Sequence, residues 1–316
     1  MTRYLADEEH GPRAVQILEP IHRESDDWVA LVHVLVHKAG QAHDALDRAE
    51  TWREVAELHE TRSGDGARAY VAWSEALVAD PADEPTRASV ERLASALGNW
   101  SDYLETCEAA ADATDEPVLK GSFLRTIANT QDRKLGDPRA AIRSLRRMME
   151  ADPDAPNGLE DLESLQVMVG DWEGLAWVYE QKLERASDPV ERSELSYRLG
   201  GLFEGQLSDP ERAVSYFQRA ADEQPDDPAA YEALDRLFAS VNDSERLADV
   251  LERRLEVEPD SEVRVEVGMR LAELYEALAH HWERAGDIRR AVDYYFAAGE
   301  KANRNYANVE AVGHFS

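Results

Sequence analysis

Cysteine occurs once, and no apolar run in the 316-residue chain is long enough to cross a bilayer. A single cysteine, Cys107, excludes an intramolecular disulfide and the cysteine-based zinc patterns. The best apolar run, WVALVHVLV at 28–36, falls short of the roughly 20 residues a spanning helix needs and contains His33. The N-terminal MTRYLADEEHGPRAVQ is charged and lacks a signal-peptide core. Together these absences predict a cytoplasmic chain. Nucleophile motifs, a P-loop, a dinucleotide fingerprint and a metalloprotease pair are also missing, so the expectation is no enzyme, no cofactor and no metal.

Positive charge is scarce as well. Thirty-five Lys and Arg stand against 65 Asp and Glu, a net charge of −30 and a pI near 4.6. That field repels phosphate backbones and anionic lipid headgroups, which argues against nucleic acid and membrane as partners. It attracts basic peptides, and it also keeps a long surface soluble. Lysine appears only at 38, 120, 134, 182 and 301. The arginine bias reads as the codon usage of a GC-rich bacterial genome.

What the chain has is repetition. SGDGARAYVAWSEALVADPADEP (63–85), LGDPRAAIRSLRRMMEADPDAP (135–156) and LSDPERAVSYFQRAADEQPDDP (207–228) share one frame. Asp65, Asp137 and Asp209 are 72 residues apart, as are Pro81, Pro153 and Pro225. A fixed period of this kind marks a repeat array. In the unit 137–208, Asp137-Pro138 caps and starts a helix whose apolar positions are Ala141, Ile142, Leu145, Met148 and Met149. Three more helices follow, carrying Leu159, Leu162 and Leu165, then Leu175, Val178 and Leu183, then Leu195, Leu199, Leu202 and Phe203. Each unit is therefore two antiparallel hairpins. Core positions exchange like for like along the period: Trp73, Leu145, Phe217; Val90, Leu162, Leu234; Val55, Ile127, Leu199, Leu271. Cys107 shares the register of Leu35, Tyr179 and Leu251, which makes it a packing residue. Pro20 lies inside the first apolar pattern and is expected to kink or break that helix.

A small residue at Ala69, Ala141 and Ala213, a large apolar one four later, and proline twelve later resemble the tetratricopeptide repeat. The stretch Leu199–Ala220 carries the likeness best, with one extra residue in its turn. The resemblance implies an all-α fold, a right-handed α-solenoid of stacked antiparallel hairpins. The organisation read from the period is a partial N-terminal unit (1–64), units 65–136 and 137–208, a unit 209–286 with a six-residue insertion, and a truncated repeat (287–316). The last part, with LAHHWERAGD at 278–287, resembles the repeats of bacterial signalling ATPases and adenylate cyclases. Val312 and Phe315 end the chain without a capping repeat, a route to self-association.

The resemblance also implies that the first helix of each hairpin lines a concave groove that holds a protein or peptide segment. Arg125, Asn129 and Arg133 lie at i, i+4 and i+8 on such a helix, where a basic residue with Asn four later can grip a terminal carboxylate by charge-assisted bonds. Inter-repeat salt bridging is the competing reading. Arg198 belongs to the neighbouring groove helix, and Tyr197 and Trp177 are candidate apolar anchors. His33 and His37 have metal-compatible spacing but align with mostly polar positions, as expected of a solvated face. The function implied is a non-enzymatic scaffold or adaptor. The alternatives are a regulatory arm of a larger signalling enzyme and a self-assembling spacer.

Overall fold

Helix starts in this chain are written by aspartate. Asp65, Asp137 and Asp209 each accept a bond from the backbone N–H three residues on, at 3.0, 2.9 and 3.1 Å. Each such cap satisfies an orphan donor and is worth about 1 kcal/mol. Asp27, Asp171 and Asp243 do the same at the intervening starts. A sizeable part of the acidic composition is thus spent on helix ends.

The computed structural model describes residues 11–315, with side chains through 304. All regular structure among them is helical: α1 (Gly11–Glu24), α2 (Trp28–Gln41), α3 (Ala45–Leu58), α4 (Gly66–Ala79), α5 (Glu84–Leu97), α6 (Trp100–Asp112), α7 (Pro117–Arg133), α8 (Pro138–Ala151), α9 (Gly158–Val169), α10 (Trp172–Arg185), α11 (Pro189–Gly205), α12 (Pro210–Glu223), α13 (Pro228–Ser240), α14 (Ser244–Val257), α15 (Ser261–Ala285) and α16 (Ile288–Phe315). A single π turn, His59–Ser63, extends α3. The chain divides into two compact units, Met1–Val169 and Gly170–Ser316. Each is a run of helix hairpins in which every helix packs on its neighbours in sequence, so the fold is an all-α helical-repeat solenoid.

Turns keep the period too. Asp26, Gly98, Gly170 and Asn242 all have positive φ, and so do Gly64, Gly136 and Ser208. A left-handed residue ends a helix by turning its backbone back onto the last carbonyls. At the second set, Asp65, Asp137 and Asp209 donate their N–H to the carbonyls of His59, Gln131 and Phe203 at 3.3, 2.8 and 2.8 Å.

The core follows the register. Val55, Ile127, Leu199 and Leu271 are all buried, as are Val90, Leu162 and Leu234. Gly200 sits against Phe217: a Cβ there would lie 2.7 Å from the ring. Cys107 is fully buried in the α6 packing, and burial pushes its thiol up to about 11. Val312 and Phe315 lie outside the residues whose side chains are described.

One local expectation is corrected in part, since the helix does not break at its proline. α1 runs through Pro20 without ending. Pro20 and Gln16 are both exposed, so the Gln16 carbonyl deprived of its intrahelical donor lies on a side open to solvent. The six residues inserted before Asp287 lengthen a helix rather than a loop. α15 has 25 residues where α7 and α11 have 17. The turn that follows shrinks from 206–209 to 286–287.

Candidate functional site

The first helices of the strongly repeated hairpins are α3, α7, α11 and α15. One register position on them, at 53, 125, 197 and 269, changes character along the chain. Arg53 donates from Nη2 to Asp80 at 2.5 Å and from Nε to Thr86 Oγ1 at 3.1 Å. Arg125 donates from Nη1 to Asp161 at 2.8 Å and from Nη2 to the Pro156 carbonyl. Both guanidiniums reach from one hairpin to the start of the next. They fix the spacing between repeats, as the fork geometry of arginine allows. Tyr197 and Met269 make no such bridge and are 41% and 52% exposed. The Tyr197 ring stands edge-on to Phe217 with centroids 5.3 Å apart.

Of the three α7 residues in the first unit, Arg125 is therefore held by Asp161, while Asn129 and Arg133 are exposed on the same helix. A carboxylate gripped by Arg125 would have to displace Asp161. In the second unit, Arg198 pairs with Glu194 one turn back on α11, an arrangement worth a few tenths of a kcal/mol at an exposed site. Trp177, on α10, is 36% exposed. His33 is exposed and His37 half-buried on α2, and no cluster of three or more His, Cys, Asp or Glu is placed to hold a metal among the described residues.

Composition gave no sign of a second polar centre. Asp235 on α13 is nearly buried. Arg270 meets both its carboxylate oxygens at 2.8 Å and Arg254 meets one at 3.1 Å. Arg254 also donates to Glu232 at 2.8 Å. Paired in this way the buried carboxylate is compensated. A cleft of about 290 Å³ between α12, α13 and α14 has Arg246, Arg253, Asp222 and Asp249 in its lining. The partners of Asp235 lie 19 and 35 residues away, beyond the reach of local pattern.

No helix of the described residues is long and apolar enough to cross a membrane. No family model matches the chain and no curated protein matches its sequence. Among solved structures it is similar to MamA, at 20% identity over 56% of this chain and 95% of that one, with a TM-score of 0.30. YrrB, described as a TPR protein with an unusual peptide-binding site, is 19% identical over 58% and 91%, with a TM-score of 0.30. A tetratricopeptide repeat protein from Parabacteroides merdae is 14% identical over 81% and 96%, with a TM-score of 0.29.

Proposed function

We propose that the chain is a non-enzymatic scaffold that binds a segment of a partner protein along the exposed face of α11 and α15 in the second unit. One observation carries the reading: the position that holds an inter-repeat arginine clasp on α3 and α7 becomes exposed Tyr197 and Met269 on α11 and α15. Large apolar side chains left open on an otherwise packed helix are the kind of surface that partners cover. In this reading Tyr197 is an apolar anchor, with Arg198 beside it. In the first unit Asn129 and Arg133 offer a separate set of hydrogen bonds on α7, and Arg125 keeps α7 and α9 in place. The partner is a protein or peptide.

The test is a hydrogen-exchange footprint of the full chain with a partner captured from its own cell and then purified. Protection on α11, lost with Tyr197→Ala, is the expected result. Protection confined to helices other than α11 and α15, or full binding by Tyr197→Ala, would overturn it.

A further inference from the structure

The seam between α2 and α4, over α3, departs from its counterparts in the later repeats. At positions 108, 180 and 252 the chain has glutamate, and each glutamate meets a cation of the helix two further on. Glu108 pairs with Arg147 at 2.8 Å, Glu180 with Arg212 at 2.8 Å, and Glu252 with Lys301 at 3.2 Å. One period earlier stands Val36.

The closest comparison is two periods apart. In the second unit, Tyr216 stacks on Phe203 with centroids 5.5 Å apart and an interplanar angle of 5°. Its hydroxyl donates to Glu180 at 2.7 Å. Arg212 lies 3.9 Å over the Phe203 ring and donates to the same Glu180. The seam is filled by an aromatic ring and closed by a carboxylate. In the first unit Arg68 is retained in the place of Arg212, but Ala72 replaces Tyr216, His59 replaces Phe203 and Val36 replaces Glu180. The ring and the carboxylate are both gone.

What remains is an open groove of about 400 Å³, walled by Val36, Trp52, Val55 and Val71, with Arg68 at its edge. Its size is within the range of about 300–1,000 Å³ seen for ligand sites. Val71 is 57% exposed. The side chain of Arg68 is 72% exposed, and its nearest acid is its own cap, Asp65, at 3.4 Å. The floor is His59, buried, with its Nδ1 unpartnered and its ring edge-on to Trp28. Burial, and then the charge of Arg68, hold this imidazole below its ordinary value, which keeps the floor uncharged at neutral pH. His59 also opens the π turn, a local device that recurs at functional sites.

We propose that this groove is a docking site for a partner-protein segment bearing an aromatic side chain flanked by carboxylates, the two groups that the equivalent seam of the second unit supplies from within. The aromatic ring enters between Val36 and Val71. A carboxylate meets Arg68, where a charge-assisted bond is favoured. The site uses none of the residues on α7 or α11, so it stands or falls separately from the function proposed above. It also runs against the bulk charge of −30, which by itself favours basic segments.

The test uses the full chain and a dye-labelled, C-amidated peptide Gly-Ser-Glu-Tyr-Glu-Ser-Gly, read by fluorescence anisotropy. Control peptides replace Tyr by Ala, both Glu by Gln, or both Glu by Lys. Saturable binding of the Glu-Tyr-Glu peptide is expected, with each control weaker by about tenfold or more, the size of one lost charged hydrogen bond. Arg68→Gln is expected to reduce the Glu peptide to the level of the Gln peptide. Ala72→Tyr with Val36→Glu rebuilds the closed seam, and it is expected to abolish binding without lowering the thermal midpoint. If that pair unfolds the chain, Val71→Glu takes its place as the blocking variant. Absence of saturable binding, preference for the Lys-Tyr-Lys peptide, or unchanged binding by the blocked variants would each overturn the proposal. Dimerisation abolished by Ala72→Tyr without peptide binding would make the occupant a second copy, and would also overturn it.

Discussion

The α7–α8 hairpin of the first unit and the α11–α12 hairpin of the second are built to one plan. In both, a 17-residue helix opens on proline, a four-residue turn ends in a capping aspartate, and a 14-residue helix begins again on proline. Their interiors differ. The first has Ala128 and Leu145 at the register positions where the second has Gly200 and Phe217. The ring in the second stands where a Cβ at 200 would be. The repeat therefore fixes the space between helices, and side chains share it out differently in each copy. Between these two copies, the larger residue on one helix goes with the smaller one on the other.

The comparison is broken most severely by emptying shared positions. Leu199→Ala, and Leu162→Ala one hairpin earlier, are each expected to destabilise by about 2–5 kcal/mol, measured by denaturant unfolding. A cost near zero at both would contradict the common core. Next comes Gly200→Ala, expected to cost about 1–3 kcal/mol because the Phe217 ring must shift. Its neighbour sharpens the point. Gly201 has nothing within 4 Å of a built Cβ, so Gly201→Ala is expected to stabilise by about 0.5–1 kcal/mol. Equal signs for these adjacent glycines would remove the volume argument. Asp137→Ala and Asp209→Ala should each lose about 1 kcal/mol, alike in the two units, since the cap geometry is the same. The smallest effect separates the turns. Ser208 has φ 55 where the first unit has Gly136, and Ser208→Gly is expected to gain about 0.5–1 kcal/mol by thermal unfolding. Gly136→Ser should lose a similar amount.

Helices, caps and core positions were legible in the sequence because their signals are local: an aspartate before proline, a left-handed residue before the cap, apolar spacing of three and four. The candidate site was less legible. For Arg125 the sequence offers both a carboxylate grip and an inter-repeat salt bridge, and only packing shows the partner, Asp161, 36 residues on and 2.8 Å away. The polar knot around Asp235 is hidden for the same reason. The groove over α3 is hidden from the repeat pattern because its signal is a difference between copies, Val36 and Ala72 against Glu180 and Tyr216. Whether Pro20 breaks its helix is not legible either, because that depends on whether the freed carbonyl is open to solvent, which the sequence does not state.

The lengthening of α15 has a further geometric consequence. Eight added helical residues advance the end of a helix by about 12 Å and turn its azimuth by about 80°, since 3.6 residues make one turn. The tight turn at Gly286 therefore launches α16 on a different phase from that in which α7 launches α8 and α11 launches α12. A change of this kind works like a missed beat in a screw thread. It leaves the helical pitch of α15 unchanged, yet reassigns which face of the following helix meets the face before it.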